Sequence, residues 1–162
     1  MRITVVGTGY VGISLAVLLS QYHKVVALDV DSERVRLINN RISPIKDNDI
    51  ESYLSGHELD LWATTDKITA YDGTDYVIIA TPTNYDEDLD YFDTSSVDGV
   101  IRDVLRYSPK SSIVIKSTIP IWYVSKMRKT LGVGNIMFSP EFLREGKSLY
   151  DNLFPSRIIV GS

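Results

Sequence analysis

Short β-branched hydrophobic runs alternate along the chain with stretches in which hydrophobic residues recur at helical spacing. Short uninterrupted apolar runs are typical of strands buried on both faces, as in a parallel sheet covered by helices. The predicted strands are Arg2–Val6, Val25–Asp29, Leu61–Ala63, Tyr76–Ala80, Ile113–Lys116, Ile136–Ser139 and Arg157–Val160. The predicted helices cover Val11–Tyr22, Asp31–Asn39, the stripe from Val97 to Leu105, and Ile121–Leu131. This alternation indicates an α/β fold: a doubly wound, mainly parallel sheet with helices on both faces.

Local residues support two of the helix boundaries. Asp31 or Ser32 is suited to cap the second helix, because short polar side chains accept hydrogen bonds from the first free N–H groups. Pro120 is expected to open the last predicted helix and Gly132 to close it.

The order of the elements predicts a single domain over residues 1–162, without an internal repeat or a linker. The sequence reaches Gly161-Ser162 directly after the last predicted strand, and no predicted helix follows. We therefore expect the chain to be a fragment of a longer protein.

The first predicted strand leads into Gly7-Thr8-Gly9-Tyr10-Val11-Gly12, which fits the spacing G-x-G-x-x-G. The spacing alone is not specific, but here it follows a predicted strand and opens a predicted helix, as in dinucleotide-binding βαβ units. Gly7 permits a tight turn, Gly9 leaves room for a pyrophosphate, and Gly12 allows close packing of helix and strand. The helix N-terminus then offers N–H groups and the positive end of its dipole to the phosphates. A Rossmann-type domain is predicted.

Asp29 closes the second predicted strand, 22 positions after Gly7. This is near the spacing of about 20 expected for the acid that binds the adenosine ribose. A carboxylate there repels the 2′-phosphate of NADP, so NAD is favoured as the cofactor. Arg34 points the other way, because a nearby arginine can accommodate that phosphate. A helix-capping or turn aspartate, with ordinary packing glycines, is the alternative interpretation.

Three further segments carry candidate chemistry near the carboxyl ends of predicted strands, where parallel sheets bind ligands. Ala80–Thr83 reads ATPT and Lys116–Pro120 reads KSTIP; their hydroxyls suit cofactor contacts or turns and caps equally well. Ser139–Gly146 reads SPEFLREG and places Glu141 and Glu145 on one side of either a helix or a strand. Two such carboxylates suit proton transfer or substrate positioning. A Pro-initiated helix with acids near its N-terminus is the structural alternative.

Composition removes several functional classes. The 162 residues include no cysteine and two histidines, which excludes a disulfide framework, a cysteine nucleophile and a histidine-rich site; no metal is expected. The net charge of −4 reflects the acidic segment Asn84–Asp93, since the remainder carries +1. The acids of this segment, which we interpret as a solvated loop, are Asp86, Glu87, Asp88, Asp90 and Asp93. No basic stripe, membrane-length apolar run or signal peptide is found, so we expect no nucleic acid or membrane partner and a cytoplasmic location.

Taken in order, GTGYVG, TPT, STIP, SPEFLREG and FPSRIIVG resemble the N-terminal, NAD-binding half of the UDP-glucose 6-dehydrogenase family, a member group of the UDP-glucose/GDP-mannose dehydrogenases. The resemblance extends from Met1 to Ser162, and SPEFLREG is its most specific motif. It implies an enzyme that oxidises the C6 alcohol of UDP-glucose twice, with two NAD molecules, to UDP-glucuronate. In this family a cysteine captures the intermediate aldehyde, and water hydrolyses the resulting thioester.

The resemblance also assigns roles at matching positions. The cofactor contacts it implies are Gly7, Gly9, Tyr10, Val11, Gly12, Asp29, Arg34, Thr83, Thr118 and Glu145. Arg34 stands where the family often has a basic residue beside the adenosine, so its presence does not argue for NADP. Glu141 matches the base of thioester hydrolysis, with Thr118 placing the water. The stretch implied to contact the nucleotide sugar is Glu141, Phe142, Leu143, Arg144 and Glu145.

By the same resemblance, several family features belong to later segments that are absent here. They are the nucleophilic cysteine, a catalytic lysine and asparagine, a second aspartate, the long connecting helix of the dimer and the UDP-binding domain. We therefore expect the chain to bind NAD without turning over UDP-glucose, and a homodimer only for the full-length enzyme. Three alternatives stay open: a dehydrogenase of UDP-N-acetylmannosamine or GDP-mannose, a β-hydroxyacid dehydrogenase, which is not expected to carry SPEFLREG, and a non-catalytic NAD-binding module.

Overall fold

The computed structural model describes residues 1–88 and 91–161. Its strands are Arg2–Val6 (β1), Lys24–Leu28 (β2), Leu61–Thr64 (β3), Tyr76–Ile79 (β4), Asn84–Asp86 (β5), Tyr91–Asp93 (β6), Ser112–Ile115 (β7) and Ile136–Phe138 (β8). Its helices are Tyr10–Ser20 (α1), Ser32–Asn39 (α2), Asn48–Gly56 (α3), Lys67–Tyr71 (α4), Ser95–Tyr107 (α5), Tyr123–Leu131 (α6) and Ser148–Leu153 (α7).

Six strands form one parallel sheet in the order β3-β2-β1-β4-β7-β8. The chain winds outward from β1 to β3 and then returns to β4 on the other side of β1. The direction of winding therefore reverses between β1 and β4, which is where open α/β sheets leave a ligand-binding crevice at the carboxyl ends of their strands. The predicted doubly wound, parallel sheet is confirmed.

Each face of the sheet is covered by its own layer of helices. Helices α1, α2, α3 and α7 supply Ile13, Ile38, Leu54 and Leu149 to one core, where they pack on Ile3 and Val5 of β1. Helices α4, α5 and α6 supply Tyr71, Val97, Val104 and Tyr123 to the core on the opposite face. Burial on both faces is the reason why the strands read as continuous apolar runs rather than as alternating ones.

The predicted seventh strand, Arg157–Val160, is wrong. These residues are exposed and outside any strand ladder, and Ile158 is 77% exposed. Only the next residue, Gly161, pairs with β8, in an antiparallel bridge whose two backbone hydrogen bonds to Phe138 measure 2.9 and 2.7 Å. A β-branched run raises strand propensity in any setting, but within the described residues no layer of side chains covers this one.

Three helices escaped sequence-based prediction, and one begins later than predicted. The unpredicted helices α4 and α7 have five and six residues, so they contain too few turns to establish a helical period. Helix α3 has nine residues and was missed although Ile50, Tyr53 and Leu54 recur at helical spacing. Helix α2 has the predicted Asp31 cap, which accepts hydrogen bonds from two backbone N–H groups. Helix α6 starts at Tyr123 rather than beside Pro120 and ends at the left-handed Gly132, as predicted. No helix in the described part of the chain is long and apolar enough to cross a membrane.

The acidic segment is a hairpin of β5 and β6 rather than a plain loop. The rings of Tyr85 and Phe92 pack together at a centroid distance of 4.7 Å. The acids that the structure describes in this segment are exposed, as expected for a solvated charge run, while Asp90 lies outside the described residues.

Trp122 and Arg41 are the two non-glycine residues with positive φ in the described ranges, at 69° and 61°. Left-handed backbone costs a non-glycine residue about 1–2 kcal/mol. Because the Trp122 residue is 80% exposed, we expect Trp122→Gly to raise the free energy of unfolding by about 1 kcal/mol in a urea titration.

Arg41→Gly is the matched comparison for this prediction. The Arg41 guanidinium donates hydrogen bonds to the carbonyls of Leu59 and Leu61, at 3.0 and 3.1 Å. Relief of backbone strain is therefore opposed by the loss of two hydrogen bonds, and we expect a net loss of stability. Equal gains from both substitutions would show that the hydrogen bonds of Arg41 contribute nothing.

Candidate functional site

A cleft of about 790 Å³ opens where β1, β4 and β7 end, at the reversal point of the sheet. A volume of this size is ordinary for a cofactor site. Its walls are the glycine loop, the end of β2, the segments after β4 and β7, and the first turns of α5. The predicted site residues that line it are Gly7, Gly9, Tyr10, Val11, Asp29, Arg34, Thr83, Thr118 and Glu141.

The glycine loop is folded tightly against its surroundings at two of its three glycines. Gly7 has φ +91°, and a Cβ there would lie 2.6 Å from the carbonyl oxygen of Ala80. A Cβ at Gly12 would lie 1.8 Å from the carbonyl oxygen of Gly7. Gly12 therefore makes room mainly for the backbone of the loop, rather than for the strand that the sequence suggested.

Gly9 differs from its two neighbours in the motif. A Cβ at Gly9 would meet nothing within 4 Å, so the fold itself does not require glycine there. Gly9 is the N-cap residue of α1 and provides no side-chain cap, which leaves first-turn N–H groups available beside the cleft. This open, uncapped helix end has the geometry that an anion requires.

The Asp29 carboxylate binds the loop and still keeps accepting capacity. Oδ2 accepts hydrogen bonds from the Thr8 N–H at 2.7 Å and from the Thr8 hydroxyl, and Oδ1 accepts from the Asp31 N–H at 3.0 Å. A carboxylate has about four acceptor positions, so one more donor can be bound without breaking these contacts. The loop-anchoring and ribose-binding interpretations of Asp29 are therefore compatible.

Arg34 lies over the same loop. Its Nη1 donates a hydrogen bond to the carbonyl oxygen of Thr8 at 2.9 Å, and its Nε lies 3.6 Å from Oδ2 of Asp31. The guanidinium thus lines the cleft as a cation beside the glycine loop.

The hydroxyl groups after β4 and β7 divide into two groups. Ser117 Oγ donates to the Thr81 carbonyl at 2.7 Å, and the hydroxyls of Thr81 and Ser96 lie 3.1 Å apart, so these groups join the segments to each other and to α5. Thr83 and Thr118 line the cleft, and neither side chain has a hydrogen bond within the described residues. The structural alternative therefore applies to Thr81 and Ser117, and the cofactor contacts of Thr83 and Thr118 stay a prediction.

SPEFLREG adopts neither of the conformations considered for it, because the stretch between β8 and α7 is irregular. Oε2 of Glu141 accepts a hydrogen bond from the Leu143 N–H at 2.6 Å, a local contact of the kind that competes with helix formation. Glu141 lines the cleft, whereas Glu145 is exposed in the following turn. Burial, and then the charges of Glu141 and Glu145, raise the pKa of the Tyr10 hydroxyl.

The residues between the two glutamates face other partners. The Phe142 ring lies 5.3 Å from the Arg157 guanidinium, and the Arg144 guanidinium is paired with Asp151 of α7. The cleft described above is not lined by any of these four residues, Phe142, Leu143, Arg144 and Glu145. Their sugar-contacting role stays a prediction.

The pair of Arg144 and Asp151 gives a pH-dependent prediction. Hydrogen bonds from the Arg144 side chain and backbone lower the pKa of Asp151 to about 2. A carboxyl whose pKa is depressed in the folded state contributes stability above its unfolded value of about 3.9 and loses it as the pH falls toward the folded value. We expect carbon NMR to show Asp151 titrating near pH 2.

Arg144→Ala should return the Asp151 titration to the ordinary range of about 3.9. Arg157→Ala is the control, since it removes a nearby arginine that does not bind Asp151. An unchanged titration in Arg144→Ala would contradict the assignment of the pair.

Sequence reasoning missed several residues of the cleft. Lys116 was noted only as part of its segment, yet its half-buried ammonium lines the cleft; burial lowers its pKa, and the charge of Glu141 opposes that shift. At the other end, Lys67 and Asp103 form an ion pair at 2.6 Å. Nothing in the local sequence indicates that a lysine at a strand end is half-buried. Lys67 and Asp103 are far apart in the sequence and meet only in the folded chain.

The whole chain matches proteins of known family. The model of the UDP-glucose/GDP-mannose dehydrogenase family, NAD-binding domain, matches residues 1–162. A UDP-glucose 6-dehydrogenase of Streptococcus pneumoniae is 55% identical over 162 residues, which are 100% of this chain and 41% of that protein. One from Campylobacter jejuni is 47% identical over 163 residues, 99% of this chain and 42% of that protein. GDP-mannose dehydrogenase from Pseudomonas aeruginosa, solved as a ternary complex, has a TM-score of 0.87 at 28% identity, covering 100% of this chain and 41% of that one.

The chain thus spans about two fifths of the length of the relatives it matches. The family predicted from the motifs is confirmed, as is NAD as the cofactor of the matched domain. The chain belongs to the UDP-glucose/GDP-mannose dehydrogenase family, and its residues match the NAD-binding domain of that family.

Proposed function

We propose that this chain is the NAD-binding half of a UDP-glucose 6-dehydrogenase, which oxidises UDP-glucose to UDP-glucuronate with two NAD molecules. The observation that carries the proposal is the cleft at the sheet reversal, which gathers the glycine loop, Asp29, Thr83, Thr118 and Glu141. The names of the relatives from Streptococcus pneumoniae and Campylobacter jejuni support the choice of sugar.

The cleft suits a dinucleotide in shape and in chemistry. Gly9 leaves open space beside the uncapped start of α1, where a pyrophosphate would accept hydrogen bonds from first-turn N–H groups such as that of Val11. Asp29 would accept from the adenosine ribose, with Arg34 lying alongside the adenosine. NAD, when bound, supplies the acceptor for a hydride.

The other end of the cleft is proposed to face the reaction. Thr83 and Thr118 present hydroxyls there, and Thr118 is proposed to place the water of thioester hydrolysis. Glu141 is proposed as the base that takes a proton from this water; its carboxylate is oriented by the Leu143 N–H. Glu145 is proposed to contact the cofactor.

The residues from Glu141 to Glu145 are further proposed to contact the nucleotide sugar. Because the 162 residues contain no thiol, they cannot form the thioester themselves, and the nucleophile has to come from elsewhere.

The proposal is tested by calorimetry and by NADH absorbance on the purified chain. We expect saturable NAD binding, weaker binding of NADP, and no NADH from a mixture of NAD and UDP-glucose. Absence of NAD binding would contradict the cofactor role, and steady NADH production would contradict the predicted inactivity.

A second candidate is a dehydrogenase of another nucleotide sugar. The observation that favours it is the close structural match to GDP-mannose dehydrogenase. Activity of a full-length parent against UDP-glucose, UDP-N-acetylmannosamine and GDP-mannose would separate the two. A parent inactive toward all three would favour a non-catalytic NAD-binding module. A homodimer of the full-length enzyme and a cytoplasmic location stay predictions.

A further inference from the structure

Lys116 occupies an unusual position for a lysine. It follows the last residue of β7 directly and lines the cleft with its side chain half-buried. Its ammonium reaches across to the segment that leaves β8, where Nζ lies 3.3 Å from Ser139 Oγ and 3.4 Å from the carbonyl oxygen of Pro140. Both contacts are made immediately before Glu141 in the sequence.

Side-chain hydrogen bonds lie on both sides of the start of SPEFLREG. The Lys116 ammonium contacts Ser139 and Pro140, which precede Glu141, and the Leu143 N–H, which follows it, donates to Oε2 of Glu141 at 2.6 Å. Ser139 is itself fixed to the sheet, because its N–H donates to the carbonyl of Ile115 at 2.9 Å. The backbone between these points has no helix or strand to orient it, so side chains must do so.

Charge acts in the same direction as geometry. Lys116 and Glu141 line the same cleft, and Nζ of Lys116 lies 3.4 Å from the carbonyl oxygen of the residue that precedes Glu141. The Glu141 carboxylate accordingly raises the pKa of Lys116 against the lowering effect of burial. A half-buried ammonium is costly unless a counter-charge or hydrogen-bond acceptors surround it. At Lys116 both are present.

We propose that Lys116 is a positioning residue for Glu141: its ammonium fixes the Ser139–Pro140 turn and supplies the counter-charge that holds the Glu141 carboxylate in the cleft. The functional meaning rests on the proposed role of Glu141 as a base. A base accelerates proton transfer only when it is held in the productive geometry, and an irregular segment needs such support from neighbouring side chains.

The electrostatic half of the proposal is tested by NMR titration of the Lys116 side chain in the purified chain. Glu141→Gln removes the attracting charge, so we expect it to lower the pKa of Lys116 further below its ordinary value. Glu145→Gln is the matched control, four residues away, and should leave the pKa of Lys116 unchanged. Equal effects of the two substitutions, or no effect of Glu141→Gln, would overturn the proposal.

The positional half is tested by hydrogen exchange of the Leu143 amide. Lys116→Met keeps the aliphatic stem and removes the charge; we expect exchange at Leu143 to become about fivefold faster. Lys116→Arg keeps the charge and should restore the slow exchange. Unchanged exchange in Lys116→Met, or no rescue by Lys116→Arg, would show that the charge does not position Glu141.

NAD titration of the same samples keeps this result separate from the proposed function. Coupling between Lys116 and Glu141 in a chain that does not bind NAD would support the positional contact and contradict the proposed function. NAD binding without the coupling would overturn the role of Lys116 alone.

Discussion

Gly12→Ala is expected to lower the free energy of unfolding by about 3 kcal/mol, a large part of the stability of a domain of this size. The added Cβ would lie 1.8 Å from the carbonyl oxygen of Gly7 and 2.9 Å from its carbonyl carbon. These are backbone atoms, so no rotamer change relieves the overlap. The loop cannot retreat either, because the backbone of Gly7 already lies against Ala80 at the end of β4.

Two other glycines provide controls for this prediction, and urea unfolding followed by circular dichroism measures all three variants. A Cβ at Gly56 would meet nothing within 4 Å, so we expect Gly56→Ala to leave stability unchanged or slightly raised. A Cβ at Gly9 would also meet nothing, so Gly9→Ala should fold normally and lose affinity for NAD. Normal stability of Gly12→Ala would contradict the tight packing of the loop.

The sheet and the loop follow from local sequence because their causes are local. Strands buried on both faces must be continuously apolar, and a loop that folds against β4 must have glycine at positions 7 and 12. The doubly wound, parallel sheet and the glycine loop were therefore predictable from the pattern, whereas the strand order became known only from the structure.

The features that escaped prediction depend on partners far along the chain. Asp47 is 2% exposed; its Oδ1 caps α3, while its Oδ2 accepts from the N–H and hydroxyl of Ser148, 101 residues away, at the start of α7. Helix α7, with six residues, is too short to show a hydrophobic period, and nothing in the local sequence pairs Asp47 with Ser148. The Arg157–Val160 run was wrongly predicted for a related reason. Its composition is that of a buried strand, but the run is exposed, and no layer of side chains covers it within the described residues.

The same distinction applies within the site. Glycine spacing and the acid at the end of β2 identified one half of the cleft, and their positions relative to each other are set by a single βαβ unit. Glu141 was identified, but its conformation was not, because that depends on Lys116 and Leu143 rather than on a regular element. Hydrophobic periodicity predicts helices and strands, so it does not predict the conformation of an irregular functional segment.

Asp29→Ala is expected to weaken NAD binding about 10- to 150-fold in calorimetric titration. Hydrogen bonds to a charged group contribute about 1.5–3 kcal/mol, and loss of the carboxylate removes those to the ribose. NADP should be affected far less, because the carboxylate repels its 2′-phosphate and Arg34 remains beside the loop. The preference for NAD over NADP should therefore shrink along with the affinity.

The loop-anchoring role of Asp29 requires a control, since its carboxylate also binds Thr8. Thr8→Val removes the hydroxyl donor from the fully buried Thr8 while the backbone N–H bond and the Asp29 carboxylate remain. If Asp29 acts on the ribose, Thr8→Val should keep NAD affinity within about twofold of the original chain and keep the preference for NAD. If Asp29 acts only by holding the loop, Asp29→Ala should weaken the binding of NAD and NADP alike, and Thr8→Val, which removes one of the two bonds from Thr8, should weaken both to a smaller extent. A selective loss of NAD binding in Asp29→Ala alone would place the carboxylate at the ribose.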